Sequence, residues 1–274
     1  SFDEWGIGSV PTLYEIPDFK YHPLGTATTV AEIDAYPWPD FDAPYRYEGV
    51  RTQVATFHKR GYAVCGEMYQ TLFETAWLMR DMQAFLMDMM LNEELTHAIC
   101  ERIAQIRVGQ ARQYALAGVD ILRLGDDIVS QQGLMFSKEL YNTYFKPRIK
   151  RIVAVAKEVN PDIIIFMHSC GKIEGMIDEL IDAGVEVLNP VQPECNDQQA
   201  IKRTYGDRLS FWGGVGVQSV LPHGTPDEVR AATRKTIATL GPENGFLVAP
   251  AHILDPAIPW ENIEAFIETV KEQR

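Results

Sequence analysis

The sequence predicts an α/β fold, a (βα)8 or TIM barrel, and three observations carry the prediction. Short apolar runs of strand length recur at 62–67, 119–127, 163–171, 185–191, 209–217 and 245–252. Helical patterns fill the intervals at 71–90, 92–117, 137–159, 172–183, 196–205 and 226–240, and a last one at 260–273 closes the chain. Strict alternation of this kind implies parallel strands joined by right-handed crossovers. The length of 274 residues suits one domain, since α/β barrels routinely use about 250 residues. Six strands are visible, and a seventh is expected to end at residues 2–5. The reading is therefore a single barrel domain over 1–274 that lacks its first strand, with an upstream segment expected before Ser1.

Taken in order, residues 7–47 carry Pro11, Pro17, Pro23, Pro37, Pro39 and Pro44 and read as an irregular excursion rather than helix. The Tyr- and Trp-rich part of it, 36–47, reads as the cover of a substrate pocket or as a surface loop. In 71–90, Met79, Met82, Met87, Met89 and Met90 with Phe85 and Leu86 look like the packed face of one long helix. Gly118 and Gly184 stand just past their helices, as C-terminal stops do. Ser137 is a candidate N-cap ahead of Leu140, Tyr141, Tyr144 and Phe145, and Asn160-Pro161 ends that helix. Gly213-Gly214-Val215-Gly216 resembles the dinucleotide loop of a doubly wound sheet, but it lacks the full G-x-G-x-x-G spacing and reads as a tight strand-end turn. Thr225-Pro226-Asp227-Glu228 supplies an N-cap, a first-turn proline and early acids suited to the helix dipole.

Composition removes several function classes. With 25 Lys+Arg against 38 Asp+Glu the formal charge is −13, which disfavours nucleic acid and anionic membranes as partners. The apolar runs are far too short to span a bilayer. Four cysteines at irregular spacing do not form a disulfide framework, and no signal peptide opens the chain, so a soluble cytoplasmic protein is expected.

In a barrel the chemistry sits at the C-terminal strand ends. There the sequence places Cys65-Gly66-Glu67, Asp126-Asp127, His168-Ser169-Cys170-Gly171, Asn189, Gln192, Cys195, Gln218 and His252. His168-x-Cys170 is the sharpest signal: residues two apart on a strand share a face, so imidazole and thiol project together. Such a pair can hold zinc if a third ligand arrives from His252, Glu67 or Cys195. A buried cysteine beside a histidine bonded to a carbonyl is the plainer alternative. Asp126 and Asp127 are adjacent and must diverge, one toward the mouth and the other bonding backbone amides. His22, His58, His97, His223 and Cys100 sit in loop or helix contexts and carry no argument.

Ala117-Gly118-Val119-Asp120, Asp126-Asp127, Ser137-x-Glu139-Leu140-Tyr141, His168-Ser169-Cys170-Gly171, Leu188-Asn189-Pro190, Phe211-Trp212-Gly213-Gly214, Ala249-Pro250-Ala251-His252 and Pro259-x-Glu261-Asn262 together resemble the uroporphyrinogen decarboxylase superfamily. The resemblance runs in order through the chain and implies a (βα)8 barrel. It also implies one of two chemistries, cofactor-free porphyrinogen decarboxylation or zinc-dependent methyl transfer with a corrinoid protein. On the decarboxylase side, Asp3 matches the essential aspartate after the second strand, His252 matches a terminal-strand histidine, and Trp77 replaces a tyrosine. On the methyltransferase side, the His-x-Cys motif is present, and histidine stands where thiol-methylating members carry a later cysteine.

The favoured expectation is a methyltransferase moving a methyl group between a small methylated substrate and a corrinoid on a partner protein. Its zinc would be held by His168, Cys170 and His252, and the catalytic set would be Asp3, Asp126, Asp127, Glu67 and His252. Trp77, Asn189 and Gln218 are the expected substrate contacts, and a homodimer is what the family suggests. The alternatives are a cofactor-free uroporphyrinogen decarboxylase and a catalytically silent barrel.

Overall fold

Each of the six apolar runs becomes a strand, preceded in the chain by a hairpin that the proline count concealed. The computed structural model describes residues 1–12, 17–243 and 245–272. The hairpin pairs β1 (Gly8–Val10) antiparallel with β2 (Asp18–Tyr21), with Gly8 opposite Tyr21 and Val10 opposite Asp18. The excursion over 7–47 is thus partly regular, and residues 13–16 within it lie outside the described residues. It also holds α1 (Val30–Ala35), started by a capping box in which the Thr29 hydroxyl accepts from the Glu32 amide and Glu32 returns the bond. The Thr29-x-x-Glu32 spacing was the overlooked signal.

The six later strands are β3 (Cys65–Met68), β4 (Ile121–Gly125), β5 (Ile164–His168), β6 (Val187–Asn189), β7 (Ser210–Val215) and β8 (Phe246–Pro250), and they follow chain order in one sheet. Residues 2–5 do not supply the expected seventh strand. Phe2 makes a lone antiparallel bridge to Gly8, and the Asp3 carboxylate accepts from the Ile7 amide at 2.8 Å, closing a turn through Gly6 at φ +75°.

The chain divides into two compact units, one of Ser1–Asp127, Phe136–Phe166 and Asp182–Gly184, the other of Ile128–Met135, Met167–Ile181 and Val185–Arg274. In the first unit, α2 (Val50–Lys59) precedes β3, which pairs parallel with β4. The expected helix over 71–90 breaks at Asp81, which adopts φ +84°, into α3 (Phe73–Arg80) and α4 (Met82–Leu91). The Asp81 side chain then caps α4 through the Ala84 amide. The break rotates α4, so Phe85 and Met89 are buried while Met87, Met90 and Leu91 face outward, against the expectation of a wholly packed methionine face. The long α5 (Glu93–Ala117) begins at the Asn92 cap and ends at Gly118 with φ +85°, as its sequence foretold.

Lys138–Leu140 form a single turn, α6, capped by Ser137, and Tyr141–Phe145 widen into a π-helical turn before α7 (Lys146–Val159). Pro147 explains the widening, because it has no N–H to donate and its ring crowds the carbonyl one turn earlier. Phe73, Phe85, Phe136 and Phe145 pack into one aromatic cluster at the heart of this unit.

In the second unit, β6 pairs parallel with β7 and β7 with β8. With them go most of α8 (Ile177–Ala183), and α9 (Gln198–Tyr205), α10 (Val220–His223), α11 (Pro226–Leu240) and α12 (Trp260–Lys271). The capping box at Thr225 and Glu228 forms as the sequence indicates. Val215, Leu221, Val229, Ile258 and Ala265 make the core between strand and helices. Among the described residues no helix is long and apolar enough to cross a membrane.

Candidate metal centre

The second unit brings His168, Cys170 and His252 together, with ligand atoms all within 4.8 Å of one another. His168 ends β5, Cys170 follows two residues on, and His252 lies just past β8. The shared strand face of His168 and Cys170 puts Nε2 and Sγ 3.3 Å apart, and the His252 ring stands edge-on to His168 at a centroid distance of 5.7 Å.

His168 is held from behind. Its Nδ1 meets the Asn189 carbonyl oxygen Oδ1, while Asn189 Nδ2 donates to the Trp212 carbonyl at 2.7 Å. That second bond fixes which end of the amide faces the imidazole, so Oδ1 accepts and Nδ1 carries the hydrogen. The remaining nitrogen, Nε2, is left with its lone pair toward Cys170. This is how histidine ligands are oriented and made more basic in metal sites. Gly213 makes the approach possible: at φ +119°, a Cβ there would meet the Pro190 carbonyl at 2.9 Å and Asn189 Nδ2 at 3.1 Å. The diglycine is therefore a close-approach device within β7 rather than a cofactor loop.

The donor set suits zinc. One thiolate and two imidazoles form a borderline-soft set, three protein ligands leave a fourth position open, and ligand atoms at this spacing need to close only slightly to reach tetrahedral edges of roughly 3.3–3.8 Å. Of the other third-ligand candidates, Glu67 belongs to the first unit and is bonded to Arg123 at 2.7 Å. Cys195 has its thiol pKa raised, first by burial and then by Glu194, and its Sγ faces the Gln192 carbonyl and the Asn196 amide.

The remaining sequence candidates take their own places. Asn189 spends both ends of its amide on His168 and Trp212, so it positions His168. Gln218 accepts from Gln131 Nε2 at 2.7 Å. Trp77 stacks edge-on against Phe19. Asp3 closes the terminal turn. Asp126, buried at the end of β4, accepts from the Leu72 and Glu74 amides and so caps α3 from another strand. Asp127 donates its amide to Glu74 Oε2. Of the two aspartates, one does bond backbone amides as expected.

Sequence reasoning missed Glu74 and Arg107, which surround Asp126 in the first unit. Burial, then Asp126 and Asp127, push the Glu74 carboxyl up to about 9. Burial raises Asp126 too, but three amide bonds and the Arg107 charge pull it back, so the proton rests on Glu74 and the charge on Asp126. Arg107 is buried, donates to the carbonyls of Tyr69, Gln70 and Thr71, and lies under the Trp5 ring; burial lowers its pKa to about 10. Neither residue stands in a spacing that announces burial, so no sequence signal pointed to them.

Residues 7–273 match the family profile of uroporphyrinogen decarboxylase (URO-D). The chain belongs to the uroporphyrinogen decarboxylase family.

Within the family, it is 24% identical over 161 residues to the methylcobamide:CoM methyltransferase MtaA of Methanosarcina barkeri, covering 58% of this chain and 44% of that protein. It is 20% identical over 178 residues to the uroporphyrinogen decarboxylase of a Synechocystis strain, covering 65% of this chain and 48% of that one. The aligned part thus spans about half the length of these curated relatives. A solved methyltransferase from Methanosarcina mazei shares the fold, with a TM-score of 0.76 at 18% identity over 98% of this chain and 76% of that one.

Proposed function

We propose that this chain is a zinc-dependent methyltransferase that moves a methyl group between a small methylated substrate and a corrinoid carried by a partner protein. The observation that carries the reading is the His168–Cys170–His252 cluster, with His168 locked in one tautomer by Asn189 and Trp212. A cofactor-free decarboxylase has no use for a thiol and two imidazoles converging in this way. The carboxylate expected to serve that chemistry, Asp3, is engaged with the Ile7 amide at an exposed turn. The methylcobamide:CoM methyltransferase among the relatives supports the same branch.

A zinc ion held by His168, Cys170 and His252 would supply Lewis acidity toward the heteroatom that gains or loses the methyl. The chain's residues set the rest. Asn189 keeps Nδ1 protonated, so Nε2 is the atom that would coordinate. Cys170 would contribute the anionic ligand, and the ends of β5 and β8 hold the three side chains together. The methyl moves without its bonding electron pair, which stays on the atom that loses it; a heteroatom that accepts the methyl must arrive deprotonated, its proton leaving to solvent, and one that loses it takes up a proton.

Metal analysis with a methyl-transfer assay tests this. We expect one zinc per chain, lost in Cys170→Ala, together with transfer of methyl from methylcobalamin to a thiol that depends on that zinc. Metal-free protein that converts uroporphyrinogen to coproporphyrinogen overturns the reading in favour of the decarboxylase. Metal-free protein inactive in both assays overturns it in favour of a silent barrel.

A further inference from the structure

We propose that the outward face of α4 is a docking groove for a basic amphipathic helix of a partner protein. The partner lays its apolar side against Met87, Met90 and Leu91 and sets lysine or arginine side chains against the acids that bracket α4. The groove lies wholly within the first unit and stands independently of the methyltransferase reading.

α4 is apolar on two sides. Phe85 and Met89, four residues apart, are its buried side. Leu86 with Met90, and Met87 with Leu91, are also four apart and form a second stripe. A helix that is apolar all round is ordinarily covered all round, and here the second stripe is open. Met87, Met90 and Leu91 are exposed, Leu91 by 79%, and with Met82 and Leu86 they line a hollow of about 710 Å³. Contiguous apolar surface of this kind costs free energy in water and marks an interaction site. Unbranched thioethers adapt their shape to an incoming side chain, which suits a groove that receives a helix.

Charge selects the occupant. From residue 81 to 101 the chain carries Asp81, Asp88, Glu93, Glu94 and Glu101 and no lysine or arginine. Asp88 is offset by Arg80 at 2.8 Å, and Glu101 by Arg148 and Arg151. Asp81, at the start of α4, and Glu93, just past its end, meet only the imidazoles of His22 and His97, at 3.9 and 3.5 Å. Glu94 is exposed beside Glu93. An apolar stripe with acids at both ends is complementary to a helix whose apolar stripe is flanked by lysine or arginine. A second copy of this chain would set its own acids against these, in a molecule of net charge −13, so charge opposes self-association here. α4 has 10 residues, a length of about 15 Å, so the partner contributes about three helical turns.

The probe is a fluorescein-labelled amphipathic peptide of leucine and lysine, about 14 residues long, titrated with the full chain and followed by fluorescence anisotropy. Wild type should bind it roughly tenfold or more tightly than the same peptide with glutamate in place of each lysine, and added salt should narrow the difference. Met87→Gln combined with Met90→Gln keeps every charge and should weaken binding of the lysine peptide roughly tenfold or more. If that double variant fails to fold, Leu91→Gln is read the same way. Glu93→Gln combined with Glu94→Gln keeps the apolar stripe and should weaken the lysine peptide but leave the glutamate peptide no weaker. Lysine-peptide binding that survives loss of the methionines overturns the groove, because charge alone then accounts for it. Equal binding of the two peptides, or of neither, overturns the basic partner. Dimerisation that the methionine variant abolishes makes a second copy the occupant and overturns the proposal as well.

Discussion

At the scale of single residues, the His168–Cys170–His252 cluster is shaped by what stands behind one of its members. Asn189 decides the tautomer of His168, and its own orientation is decided by the Trp212 carbonyl. Asn189→Ala should therefore lower zinc affinity by roughly 10–100-fold with the fold intact, the usual cost of removing an outer partner of a metal-bound histidine. Competition against a chromophoric chelator measures it. Gly213→Ala should produce the same phenotype without touching a ligand, because its methyl group would displace the Pro190 carbonyl and Asn189. The His-x-Cys pair was legible in the sequence, because two-residue spacing on a strand has one geometric meaning. The role of Asn189 was not, because its partner lies 21 residues away and only strand pairing brings them together.

At the scale of elements, the first turn of α3 is satisfied from outside by Asp126 at the end of β4, and this ties the titration of a buried pair to stability. Glu74 and Asp126 both hold their protons more tightly in the folded chain than in the unfolded one, so the folded state binds more protons. Their contribution is full below the ordinary carboxylate range and is lost as pH rises toward about 9. Urea unfolding from about pH 5 upward should show stability falling across that window, and Glu74→Gln should flatten the slope. A slope of opposite sign would refute this account. Helix ends with a side-chain cap close in sequence, such as Thr225, were readable before the structure. The cap on α3 was not, since its acid is supplied by another strand, and the break at Asp81 was hidden because aspartate at positive φ leaves no pattern in hydropathy.

For the molecule as a whole, alternating apolar runs and helical patterns were enough to place the six strands, because runs of strand length recur between stretches of helical periodicity. The hairpin near the start escaped because prolines and aromatics disguise short strands. All three candidate metal ligands, His168, Cys170 and His252, belong to the second unit. Zinc should accordingly raise hydrogen-exchange protection at 168–171, 189–196 and 250–252, and raise the melting temperature with metal concentration as ligand linkage requires. Protection unchanged by zinc in those segments would argue against the site.

The turn at Asp81 leaves a chemical mark as well. Because it faces α4 outward, Met87 and Met90 are 51% and 72% exposed and line an open hollow of about 710 Å³, whereas Met68, Met79 and Met89 are buried. Dilute peroxide should therefore convert Met87 and Met90 to sulfoxides first, turning that exposed apolar face polar while Met68, Met79 and Met89 stay reduced. Peptide mapping by mass would read the order of oxidation, residue by residue, as a record of which way that helix is turned.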